Sequence, residues 1–162
     1  MKESNLNTTI ANAFLKLNFG HKISDASPTK KPFDGFAVAL NTPFYYESKL
    51  VKPLKSFNFN SIEDHQYANL RAIKDNLFSA QSLFFLGAFE SRKYYDIYAF
   101  DIGLITLLTK NEKNSIIKKE LEKIKQEGYT LPVKRENNKY VTDFSSLLEK
   151  VVTIDVWNYI FS

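Results

Sequence analysis

Leu6, Ile10, Phe14 and Leu17 recur at spacings of four, four and three residues. That is one face of a 3.6-residue period, and it predicts an opening helix, capped at Ser4 or Asn5 and stopped at Gly20. The polar stretch from His21 to Lys31, with Pro28 inside it, reads as a loop. The period then changes. Phe33 to Leu40 is short, apolar and bounded by Pro32 and Asn41-Thr42-Pro43, while Phe44 to Val51 (FYYESKLV) is aromatic and β-prone, so the two predict paired strands ended by Pro53. Residues 54–60 connect to a helix over 61–76, with Ser61 and Asp64 marking its start and Ile62, Gln66, Leu70, Ile73 and Leu77 lining one face. Two aromatic runs, Ser82–Phe89 and Tyr94–Phe100, read as strands joined by the polar Glu90-Ser91-Arg92-Lys93. Asp101 caps a short helix through Leu108, and a charged amphipathic helix over 111–127 carries Ile116, Leu121 and Ile124 and stops at Gly128. A hairpin around Asn137-Asn138, a helix over 143–151 and an aromatic tail with Trp157, Tyr159 and Phe161 complete the chain. This order predicts an α/β fold, a central mixed β-sheet flanked by helices, in one domain without internal repeats.

Composition narrows the classes. The chain has 162 residues, 44% hydrophobic and 25% charged, with five Gly, five Pro and no Cys. It is long enough to bury a core, and it falls outside the disordered and low-complexity classes. Without cysteine there is no disulfide scaffold, Cys-ligated zinc or cysteine nucleophile. No apolar run approaches the ~20 residues of a membrane span. The start MKESNLNTTI is polar, without an apolar signal core, so the expected compartment is the cytoplasm. Residues 1–60 hold eight lysines against four acids, whereas the remaining 102 residues carry fourteen charges of each sign. The whole net charge of +4 therefore sits in the first third, where a polyanion would be drawn. A solvated lysine face is the plainer reading of that excess.

Two neighbouring predicted strands contain ionisable groups in apolar company: Asp34 within KPFDGFAVAL, and Glu47 and Lys49 within FYYESKLV. Strand alternation points Glu47 and Lys49 the same way and Ser48 the other, and a hairpin across residues 41–43 brings Asp34 beside Glu47. Two adjacent carboxylates repel, so one takes up a proton unless a cation lies between them. Magnesium, which accepts carboxylate, water and phosphate oxygens, suits such a pair, and Lys49 would orient water or hold the scissile phosphate. The plainer alternative is an exposed Glu–Lys pair on a surface hairpin, worth about 0–1 kcal/mol.

The string Pro32-Phe33-Asp34, a thirteen-residue step, then Glu47-Ser48-Lys49 resembles the PD-(D/E)xK nuclease superfamily, with one residue inserted between Pro and Asp. The resemblance implies a restriction-endonuclease-like core, Asp34 and Glu47 as ligands of Mg²⁺ (Mn²⁺ able to substitute) and Lys49 as the catalytic lysine. Downstream, Ser56-Phe57, His65-Gln66, Phe89 and Tyr98 resemble the RecU-type Holliday junction resolvases over about residues 20–105. That family implies a site role for Gln66, a bacterial or phage source, four-way DNA junctions as substrate, and a homodimer, since resolution takes two symmetric nicks. Glu3 is a possible additional acid, and Lys30, Lys31, Lys52 and Lys55 are candidate DNA contacts. His65 reads as a capping or packing residue, and His21 with Asp25 as an inert loop pair. Phe44-Tyr45-Tyr46 reads as core rather than a base-stacking surface. The family's stalk would have only residues 21–31 to form from. The nuclease core is expected over about 1–109, with a helical or irregular extension over about 110–162. A restriction-type or repair nuclease, and a catalytically inactive DNA-binding relative, are the rival expectations.

Overall fold

The computed structural model describes residues 2–22, 31–51, 55–77, 79–89 and 94–162. The expected polar connection of Glu90 to Lys93 thus falls outside the described residues, as do Asp25, Lys30, Lys52 and Pro53. Helix α1 (Glu3–Leu17) is followed by strands β1 (Phe19–Lys22), β2 (Gly35–Ala39), β3 (Thr42–Val51) and β4 (Phe57–Asn58). After a 3-10 turn at Phe59–Ser61 come α2 (Asp64–Asn76), β5 (Gln81–Ala88), β6 (Tyr94–Asp101) and α3 (Ile102–Lys110). The chain ends with β7 (Ser115–Ile116), α4 (Lys118–Gln126), β8 (Leu131–Glu136), β9 (Lys139–Thr142), α5 (Leu147–Lys150) and α6 (Ile154–Phe161).

The architecture is α/β, a seven-stranded mixed sheet in the order β1-β2-β3-β5-β6-β8-β9 with helices on both faces. The β3–β5 pair is parallel, as a crossover through α2 requires, and every other neighbouring pair is antiparallel. Alternation along β3 sorts its side chains. Phe44, Tyr46 and Leu50 face α1, where Phe14 packs its ring against Phe44, Tyr46, Phe85 and Phe144. Tyr45 and Val51 face the second core, built with Leu70 of α2 and the apolar sides of α3, α4 and α6. Each fully buried aromatic of this kind contributes roughly 1.5–3 kcal/mol. No helix among the described residues is long and apolar enough to cross a membrane.

The structure departs from the sequence reading in several places. The first helix ends at Asn18, and Gly20 lies inside β1 rather than stopping a helix. His21 belongs to that strand, paired opposite Phe36, not to a loop. The β2–β3 turn is shorter than expected: Leu40 and Asn41 both take positive φ, 54° and 57°, the twist of a two-residue hairpin. Pro43 then fits inside β3, because β5 begins only opposite Phe44 and no neighbour asks for its missing N–H. Helix α2 starts at Asp64, and Ser61 bonds the Asn58 carbonyl instead of capping it. The helix expected from residue 111 begins at Lys118, since Ile116 is taken by β7 in antiparallel pairing with Phe57. The helix expected over 143–151 is confined to α5. Residues 131–142 form the expected hairpin, with Asn137 and Asn138 both at positive φ, and add two strands to the same sheet.

Candidate active site

The β2–β3 register places Gly35 opposite Tyr46, so Asp34, the residue before β2, arrives beside Glu47. The Asp34 amide continues the ladder by donating to the Tyr46 carbonyl at 3.0 Å. Its side chain is 3% exposed and is held from two sides. Oδ2 accepts from the Ser48 amide at 2.9 Å and from the Ser48 hydroxyl at 3.1 Å, while Oδ1 lies 2.7 Å from the Lys31 ammonium. Ser48 in turn bonds the Asn7 side-chain oxygen on α1. Asn7 is a polar residue on the largely apolar buried face of α1, and that is the sequence signal that could have announced it.

Glu47 is 1% exposed, and its Oε2 has no hydrogen-bond partner. Burial chiefly, then the Asp34 charge and a hydrogen bond with Asp34, push its pKa up to about 9, with Lys49 and Lys31 pulling the other way. At neutral pH the pair therefore keeps a proton in the absence of a further cation. The same Asp34 charge, after burial, raises the pKa of the Tyr46 hydroxyl, which also lacks a hydrogen-bond partner. Gly35 exists for this packing: a Cβ there would meet the Tyr46 hydroxyl and come within 2.7 Å of the His21 carbonyl.

Lys49 points from β3 to the rim, where its Nζ is 3.5 Å from Glu3 Oε1, and Glu3 Oε2 accepts from the Leu50 amide at 3.3 Å. Glu3, at the first turn of α1, is thus recorded against Lys49 and the strand end rather than against the acid pair. Gln66 is 4% exposed on the inner side of α2, which packs on β3 and β5, and its Oε1 has no hydrogen-bond partner. His65 turns to the chain before Asp34, with Nε2 3.2 Å from the Lys31 carbonyl and Nδ1 3.3 Å from Glu63. Lys55 is exposed ahead of β4, and Lys30 and Lys52 lie outside the described residues.

Whether these residues suit a metal can be judged from their donors. Among the described residues no group of three or more His, Cys, Asp or Glu could hold a metal ion. The acid pair nevertheless offers buried hard oxygens, one of them orphaned, and an energetic deficit that a cation would remove. Two carboxylates are the usual protein share for Mg²⁺, which keeps waters and takes phosphate oxygens for the rest. The donor set fits that ion and suits neither zinc nor a calcium cage.

No family model matches the chain, and no curated protein matches it. Among solved structures it is similar to Hjc, a Holliday junction resolvase from the archaeal hyperthermophile Archaeoglobus fulgidus, at 12% identity and a TM-score of 0.41, covering 96% of this chain and 98% of that one.

Proposed function

We propose that this protein is a magnesium-dependent endonuclease that hydrolyses DNA phosphodiesters and resolves four-way junctions by paired symmetric nicks as a homodimer. One observation carries the hydrolytic reading: Asp34 and Glu47 are buried side by side at the end of a hairpin, with Lys31 on one acid and Lys49 two residues from the other. A structural ion pair does not need a second acid pressed against the first without enough positive charge to ionise both.

Asp34 and Glu47 would hold the ion, which when bound supplies charge stabilisation at the phosphoryl group and favours ionised water. Lys49, partly exposed at the rim, would hold the scissile phosphate and align the attack. Gln66 would spend its unpaired amide oxygen on water or on the ion. Lys55, with Lys30 and Lys52, would contact flanking phosphates. The junction-resolving reading rests on the resemblance around Ser56-Phe57, His65-Gln66, Phe89 and Tyr98.

Cleavage of a synthetic four-way junction and of a matched linear duplex, each in Mg²⁺ and in EDTA, tests both levels. Junction preference supports the resolvase reading, and equal cutting supports a duplex or repair nuclease. In the same assay Glu47→Ala or Lys49→Ala is expected to lower cleavage by about 10²–10³-fold or more, with DNA affinity within about threefold of wild type. Undiminished cleavage in both variants would remove the site.

A further inference from the structure

Lys31 lies against the buried Asp34. Its ammonium is 2.7 Å from Asp34 Oδ1, and the pair is 19% and 3% exposed. Its main chain is pinned from α2. His65 Nε2 lies 3.2 Å from the Lys31 carbonyl, and Asn69 Nδ2 donates to the Pro32 carbonyl at 3.2 Å. The backbone beneath Lys31 is thus held at two successive carbonyls, while the ammonium sits at the end of a four-carbon stem with rotatable bonds.

The two oxygens of Asp34 are divided. Ser48 occupies Oδ2 through its amide and hydroxyl, and Lys31 occupies Oδ1. A divalent ion held by Asp34 and Glu47 would need Oδ1, since Ser48 already holds Oδ2. An ammonium left on Oδ1 would repel that dication.

We propose that Lys31 is a tethered stand-in for the divalent cation: it neutralises Asp34 in the metal-free protein and yields Oδ1 when the ion binds. The inference rests on the metal site proposed above and adds to it a lysine that has to move. Lys31 therefore sets the ion's affinity and balances the charge that Asp34 carries in the metal-free protein.

Calorimetric titration of Mn²⁺ into the full chain, without DNA, tests it in wild type and in the Lys31→Gln, Lys31→Arg and Lys49→Gln variants. Lys31→Gln is expected to bind Mn²⁺ about tenfold more tightly than wild type, having no ammonium to displace. Lys31→Arg, which keeps the charge and adds a forked grip, is expected to bind no more tightly than wild type. Lys49→Gln removes an equal charge from beside Glu3 and is expected to shift affinity by less than about threefold. Thermal unfolding gives a second readout: Lys31→Gln should melt below wild type in EDTA and gain more than wild type from saturating Mn²⁺. Unchanged or weaker binding in Lys31→Gln, or an equal gain in Lys49→Gln, overturns the stand-in role. If Lys31→Gln does not fold without metal, Lys31→Arg decides, and tighter binding there overturns the role. Wild type that binds no Mn²⁺ defeats the metal site, and the stand-in with it. Wild type that binds while Lys31→Gln matches it defeats the stand-in alone.

Discussion

Glu47 holds its proton well above the ordinary carboxylate range, up to about 9, because it is buried next to Asp34. Its native pKa exceeds its unfolded one, so between those values the folded protein binds a proton that the unfolded chain has released. The stability this contributes is complete below the unfolded pKa and is lost as pH rises toward about 9. Glu47→Gln keeps the shape and discards the charge. In EDTA it is expected to exceed wild type in stability by about 1–3 kcal/mol near pH 8, with the gap closing toward about pH 5. Urea unfolding across that range measures it, and a gap independent of pH would contradict the burial of the acid. Gly35 makes a second residue-scale case. Gly35→Ala forces a methyl against the Tyr46 hydroxyl and the His21 carbonyl, at an expected cost of about 1–3 kcal/mol. In a Tyr46→Leu background, where the hydroxyl and the ring carbon that bears it are both gone, the same substitution is expected to cost measurably less, and denaturant midpoints of the four variants would show it.

At the scale of elements, the β2–β3 hairpin was legible because its apolar runs alternate and are bounded by turn residues, and with it the neighbourhood of Asp34, Glu47 and Lys49. What lay beyond reading depends on partners distant in sequence. The four residues of β1 contain a Gly, a His and a Lys, and only pairing with β2 makes them a strand. Ile116, expected in one helix with Leu121 and Ile124, is instead drawn out of it by β4. The pairing of Lys31 with Asp34 was not legible, because nothing in its own stretch shows that α2 holds the carbonyls of residues 31 and 32. Serine at position 48 was expected on the opposite side from Glu47, and its hydroxyl does reach Asn7 on α1, but its amide and hydroxyl also serve Asp34. The small β4–β7 pair has a consequence of its own. Phe57 carries it into the core, stacked 4.8 Å from Phe84 and 6.1 Å from Phe100. Phe57→Ala is expected to destabilise by about 3–5 kcal/mol, a loss that thermal or urea unfolding would register.

Over the whole molecule, one parallel joint between β3 and β5 links two antiparallel blocks, β1-β2-β3 and β5-β6-β8-β9. The second block is completed by residues beyond 110: Leu131 and Val133 of β8 pair beside Ile97 and Tyr95 of β6, and Phe144 joins the same core cluster. A chain ending at residue 110 is therefore expected to lose cooperative unfolding, and calorimetry of that fragment beside the full protein checks it. The candidate acids belong entirely to the first block, and their spacing has a mechanical origin. Asp34 is bonded to the very amide that joins Glu47 to Ser48, so both carboxyl groups are referenced to one flat, stiff peptide unit. Twisting or pulling the outer strands against the rest of the sheet leaves that common plane as the ruler between the two carboxyl groups.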